Sequence, residues 1–183
     1  ERQRFQNLVC QYTKELQSVM LEPCRILRSR GQLKLLEVFC GPNSQLTHQV
    51  QQLGFRAERM GLAQCDLQQA EGRRLLFQTV VARSPEHLWF SPSCGPWSGW
   101  STLNGSRSLE AWDSLQESRL KHVEQIALGV VLLRHQCSVG HHMHWEQSQA
   151  SLMFKLPYLQ EVHQRTLAVH FDMCTAGNLK DPE

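Results

Sequence analysis

The sequence predicts an α/β fold: one open, mostly parallel, doubly wound sheet with helices on both faces. Two observations carry this. Helix-like and strand-like stretches alternate along nearly the whole chain, which is the pattern of a parallel sheet covered on both sides. The strand-like stretches are short apolar runs that stop at Gly, Pro, Asn or Ser, as buried strands do where their loops begin. At 183 residues the chain suits a single globular domain with a real core, and it needs no disulfide or metal to hold it.

Residues 2–20 place Phe5, Leu8, Val9, Tyr12, Leu16, Val19 and Met20 at helical spacing, with charges opposite. We read 1–32 as an N-terminal helical segment and 33–183 as the α/β unit it joins. Pro23 and Gly31 punctuate the stretch between them, whose Arg25, Arg28 and Arg30 read as a solvated face. The first strand is expected over 33–40, interrupted only by Lys34 and Glu37. Ser44 is a plausible N-cap for a helix over 45–53, which Gly54 closes. A second strand is expected over 55–60 and a helix over 67–82, with Asp66 at its entry. A strand over 88–90 then runs into a long loop that reaches Arg107. The longest expected helix covers 115–134. Residues 139–146 read as a strand, 151–165 as a helix interrupted at Pro157, and 167–174 as a last strand.

Composition excludes several classes. Net charge is only +2, without the strong basic bias of a dedicated nucleic-acid binder, though a local groove remains compatible with one. No stretch is apolar over the length needed to span a bilayer, and the N-terminal residues lack a signal-peptide pattern. The seven cysteines are scattered, which points to reduced thiols in an intracellular, reducing compartment (the nucleus, in a eukaryote). A start without Met and an end on Lys180-Asp181-Pro182-Glu183 lead us to expect a longer parent polypeptide.

The stretch 87–100 holds the clearest candidate chemistry. Its apolar run ends at Ser91-Pro92, and the loop carries Cys94, Gly95, Pro96 and Ser98. The bland reading is a packed cysteine in a rigid turn. In an open α/β sheet, however, ligands bind beyond the carboxyl ends of the strands. Gly41, Glu58, Asp66, Cys94 and Glu146 all fall at expected strand ends or at the helix entry beside them, so one crevice could gather them.

The motifs Leu36-Glu37-Val38-Phe39-Cys40-Gly41, Ser91-Pro92-Ser93-Cys94-Gly95-Pro96-Trp97-Ser98 and Trp145-Glu146-Gln147 resemble those of a DNA (cytosine-5) methyltransferase catalytic domain. The resemblance covers roughly 33–177 and implies the Rossmann-like fold of S-adenosylmethionine-dependent methyltransferases. It implies that Phe39 and Gly41 lie at the methionine end of S-adenosylmethionine. Glu58 would take the ribose hydroxyls, since a carboxylate accepts two hydrogen bonds from a diol, and Asp66 the adenine amino group. Cys94 would be the nucleophile and Glu146 the carboxylate that contacts the target base. Ser98 would end the loop, and Arg107 is the basic residue we pick for a phosphate contact. The expected substrate is DNA or another nucleic acid, with the target base flipped out or already single-stranded.

Some residues depart from the family: Pro42-Asn43-Ser44 follows Gly41, Ser93 and Gly95 flank Cys94, and no target-recognition region is visible. These departures support a second reading, a catalytically degenerate domain of the same fold that binds nucleic acid or protein. A third has Cys94 merely structural in a methyltransferase acting on another substrate. His135, Cys137, His141, His142 and His144 lack paired zinc-ligand spacing. If 139–146 is a strand, His142 and His144 share a face opposite His141, so no metal is expected. Trp89, Trp97, Trp100, Trp112 and Trp145 could stack on a base or equally form core and wall.

Overall fold

The computed structural model describes residues 1–22, 31–41, 43–61, 65–164 and 166–170. The basic stretch 25–30, Pro42 and most of the last expected strand lie outside them, and 167–170 form no strand. The described elements run α1 (Arg2–Leu21), β1 (Leu35–Val38), α2 (Gln45–Gln52), β2 (Ala57–Met60), α3 (Ala70–Arg83), β3 (His87–Phe90), α4 (Gly99–Gly105), α5 (Leu109–Ser138), β4 (His142–Trp145) and α6 (Gln160–Gln164). The four strands form one all-parallel sheet in the order β2-β1-β3-β4. Parallel neighbours need a crossover connection, and a helix lies in each connection here.

β1 and β3 are the inner strands. All four residues of β1 are buried, as a strand covered on both faces requires. Register aligns Met60, Val38, Phe90 and Trp145 across the sheet as its carboxyl-end row. Leu36, Val38, Leu88 and Phe90 are fully buried and share one core with Leu76, Phe77, Val80 and the central stretch of α5. Gly129 lets α5 come close there: a Cβ would sit 2.7 Å from Phe90 Cε1 and 2.9 Å from Trp145 Cη2.

α1 belongs to this same core through Phe5, Val9, Tyr12, Leu16 and Val19. It is fastened to α3 by Arg73, whose guanidinium donates to both Glu15 oxygens at 3.0 and 3.2 Å. A bidentate charged pair of this kind is among the stronger side-chain contacts. The guanidinium also stacks 4.7 Å from the centre of the Tyr12 ring. Burial pushes the Tyr12 phenol up to about 12.

Three expectations change. The loop after β3 contains a helix, α4, whose start is capped by the Ser98 hydroxyl accepting from Ser101 N–H at 3.0 Å. α5 begins earlier than expected because Ser108 caps it, accepting from Ala111 N–H at 3.1 Å. The helix expected over 151–165 is instead two 3₁₀ turns, Leu152–Lys155 and Pro157–Leu159, followed by α6. Pro157 lacks an N–H and holds Leu156 extended, so a continuous helix cannot pass it. No described helix is long and apolar enough to cross a membrane.

Candidate functional site

The chain steps from β1 outward to β2, then crosses back to place β3 on the other side of β1. The chain thus leaves β1 and β3 toward opposite sides at their carboxyl ends, the position at which open α/β sheets usually bind ligands. Phe39, the first residue after β1, has φ 62. A bulky side chain there is a genuine backbone outlier, and such strain persists only where the surroundings enforce it. Two contacts do so. Phe39 N–H donates to Met60 C=O at 3.1 Å, and its ring meets Phe90 edge-on at 5.3 Å. Gly41 follows at the surface, where an added Cβ would meet nothing within 4 Å.

Glu37 organises the turn after β1 from below. It is buried, and its carboxylate accepts from Ser44 Oγ at 2.5 Å, Thr47 Oγ1 at 2.6 Å and Thr47 N–H at 3.3 Å. Sequence reasoning missed this role because Glu37 reads as a lone interruption of an apolar run. The available signal was two hydroxyls, seven and ten residues on. Beside it, burial and then the Glu37 charge push the Cys40 thiol up, which disfavours Cys40 as a nucleophile.

Cys94 sits in the loop after β3 with an exposed, free thiol. Ser91 N–H donates to Val38 C=O at 3.1 Å, which carries the β1–β3 pairing one residue beyond the strands. After Cys94 the chain turns through a 3₁₀ segment, Gly95–Trp97, with Trp97 N–H on Cys94 C=O at 3.0 Å. Arg119 on α5 holds this turn. Its Nε donates to Pro96 C=O at 3.0 Å and an Nη to Thr102 Oγ1 at 2.9 Å. Its guanidinium lies 5.3 Å from the Trp97 ring centre and 5.9 Å from that of Trp112.

Glu146 follows the last residue of β4. One carboxylate oxygen, Oε2, accepts from Trp89 Nε1 at 2.8 Å and Ser91 Oγ at 3.3 Å. The Gln147 amide donates to Pro92 C=O and its carbonyl accepts from Ser151 Oγ. The tip of β4 and the root of the cysteine loop are thus fastened together. Glu146 Oε1 has no partner among the described residues.

The structure therefore places Phe39, Gly41, Cys94 and Glu146 at neighbouring carboxyl-end tips. Asp66 lies at the entry to α3, where Oδ1 caps its own turn by accepting from Gln68 N–H at 2.9 Å. Glu58 lies further from the tip than the others. It pairs with Leu36, two residues short of Met60 at the tip, and Oε1 accepts from Arg83 Nη1 at 2.6 Å. Arg83 is the last residue of α3, its side chain is only 4 % exposed, and it needs that carboxylate. The Glu58 side chain stays 40 % exposed and lines a pocket with Asn43, Ser44 and Thr47. Ser98 serves as the α4 cap, and Arg107 is exposed just past the end of α4.

His142 and His144 share the sheet face with His87, which stacks on both at 5.2 and 5.3 Å. His87 Nδ1 and His144 Nε2 are hydrogen-bonded at 3.0 Å. Burial, then the neighbouring imidazoles, push both rings down and keep them neutral near pH 7. Among the described residues no three metal-ligating side chains gather. Of the tryptophans, Trp97 is core, Trp89 serves Glu146, Trp145 meets Phe90 edge-on, Trp112 borders Arg119, and Trp100 is 75 % exposed. Comparison with protein-family models, with curated proteins and with solved structures finds no match to this chain.

Proposed function

We propose that the chain is an S-adenosylmethionine-dependent methyltransferase domain of the DNA (cytosine-5) type, in a doubly wound Rossmann-like fold. The observation that carries this reading is the fastening of the Cys94 loop to the Glu146–Gln147 tip, on strands beside the one that ends at Phe39 and Gly41. The two-sided fold is supported by alternation along β1. Glu37 reaches α2, whereas Val38 shares the opposite face with Phe90, which α5 approaches at Gly129.

S-adenosylmethionine, when bound, supplies an electrophilic methyl group. The open space at Gly41 fits the close approach of such a ligand, and Asp66 stands at the same edge. Glu58 accepts from Arg83 through Oε1, while its carboxylate stays partly exposed. In the reaction, Cys94 Sγ would give up its proton and bond to carbon 6 of cytosine, and the electron pair this places on carbon 5 would take the methyl group as S-adenosylhomocysteine departs. Loss of the carbon 5 proton and departure of Sγ from carbon 6 restore the aromatic ring. Covalent catalysis of this kind divides one hard step into easier ones. Glu146, held by Trp89 and Ser91 through Oε2, presents Oε1 to the Watson–Crick edge of the base, where a carboxylate matches the cytosine amino group. The target base must be flipped out or single-stranded to arrive there.

Calorimetric titration with S-adenosylmethionine tests the cofactor half of this reading. We expect binding by the wild type and at least about tenfold weaker binding by Gly41→Val. Stability should change by no more than about 0.5 kcal/mol, as for an open surface position. Absence of binding by the wild type overturns the enzyme. The second reading, a degenerate nucleic-acid- or protein-binding module, draws support from the commitment of Glu58 to Arg83 and predicts that absence.

A further inference from the structure

A second cavity among the described residues is lined by none of the strand-tip residues. It is a groove of about 860 Å³ between α1, the last two turns of α5 and Pro157, Tyr158, Val162 and Thr166. Its floor is apolar, with Phe5, Val9, Val130, Leu133 and Val162, and Tyr158 stacks on Phe5 at 4.4 Å. Its rim is cationic. Arg2, Lys14 and Arg134 line it, all exposed, and none forms an ion pair among the described residues. Glu15 of α1 and Glu22, just past its end, are engaged elsewhere, with Arg73 and Arg74. No carboxylate lines the groove among the described residues.

The shape also selects an occupant. Lining residues run along α1 from Arg2 to Gln17, about 22 Å at the helical rise. A trough of that length suits a helix of about four turns better than a compact ligand. An apolar floor between helices is the usual receiver of an amphipathic helix, whose apolar face enters while its polar face meets the rim. With Arg2, Lys14 and Arg134 as the charged residues described in its lining, complementarity calls for acidic residues on that polar face.

We infer that this groove docks an acidic amphipathic helix of a partner protein. The inference is independent of the methyltransferase reading, since none of its residues belongs to the crevice. Two cysteines make it readable. Cys10 and Cys137 line the groove with exposed, free thiols, while Cys94 is exposed elsewhere.

The test uses the full chain and two fluorescein-labelled helical peptides of about 15 residues. Both carry leucines at i, i+3, i+4 and i+7 spacing, one with glutamate and the other with lysine at the remaining positions. Fluorescence anisotropy should show the glutamate peptide binding at least about tenfold more tightly than the lysine peptide. The double variant Lys14→Glu, Arg134→Glu should reverse that preference, and its unchanged melting temperature would show it folded. Bound glutamate peptide should slow alkylation of Cys10 and Cys137 by N-ethylmaleimide and leave Cys94 unprotected, read by peptide mass spectrometry. Equal binding of the two peptides, binding of neither, or protection of Cys94 instead of Cys10 and Cys137 overturns the inference.

Discussion

Arg119 gathers three pieces of chain with one side chain: the turn after Cys94, α4 through Thr102, and the indole rings of Trp97 and Trp112. A hydrogen bond from a charged donor contributes roughly 1.5–3 kcal/mol and a partly exposed cation–π contact about 0.5–1 kcal/mol. Because Arg119 is only half-buried, Arg119→Ala should cost about 1–2 kcal/mol. It should also speed amide exchange at Trp97 and Ser98 more than in the strands. Hydrogen-exchange mass spectrometry checks this, and uniform acceleration across the sheet would contradict a local role. The residue was not legible as an anchor, since an arginine in the polar part of a helix reads as a solvated charge. Glu58 was equally opaque as an ion-pair partner. Its place in the sequence fits a strand end, but the strand runs on to Met60, and its partner Arg83 lies 25 residues away. Spacing along one strand cannot reveal a register or a distant ion pair.

At the scale of elements, α3 shows how closely packing fixes the site. Gly72 sits where a Cβ would lie 2.0 Å from the Asp66 carbonyl oxygen and 2.5 Å from its carbon. Alanine would gain about 1 kcal/mol in helix propensity, but the obstructing atoms are backbone and must move. Overpacking of this kind costs about 1–3 kcal/mol, occasionally more. Gly72→Ala should therefore destabilise the fold by about 1 kcal/mol net and disturb the Asp66 turn, measurable as a lower urea midpoint with an unchanged slope. A stabilised variant would show that α3 stands off from Asp66. The core of each expected strand was readable because apolar runs ending in turn residues have few other meanings. α4 was not, because Gly99 and Trp100 at its start disguise a helix that only the Ser98 cap announces. Pro157 marked a real break, and its consequence was larger than a kink.

Across the whole molecule, the parallel sheet and its alternating helices followed from pattern, whereas the strand order did not. The order β2-β1-β3-β4 opens the loops of β1 and β3 away from each other, and this turns scattered motifs into neighbours. Cys94 and Glu146 are 52 positions apart, yet the fastening of Ser91 to Glu146 and of Gln147 to Pro92 brings their loops together. Glu37, buried in the first strand, steadies the opposite wall. The α1–α5 groove lies outside this arrangement and was invisible in the sequence, where Arg2, Lys14 and Arg134 are separate surface charges.

The proposed chemistry requires Cys94 to bond to the target base. The direct measurement is the mass of the protein after incubation with S-adenosylmethionine and an oligonucleotide carrying 5-fluorocytosine, in which fluorine replaces the departing carbon 5 proton and traps the adduct. The wild type should gain the mass of the methylated oligonucleotide, with the modified peptide containing Cys94, and Cys94→Ser should gain nothing. An unmodified wild type that still binds S-adenosylmethionine, or an adduct that survives Cys94→Ser, would contradict the assignment of Cys94 as the nucleophile.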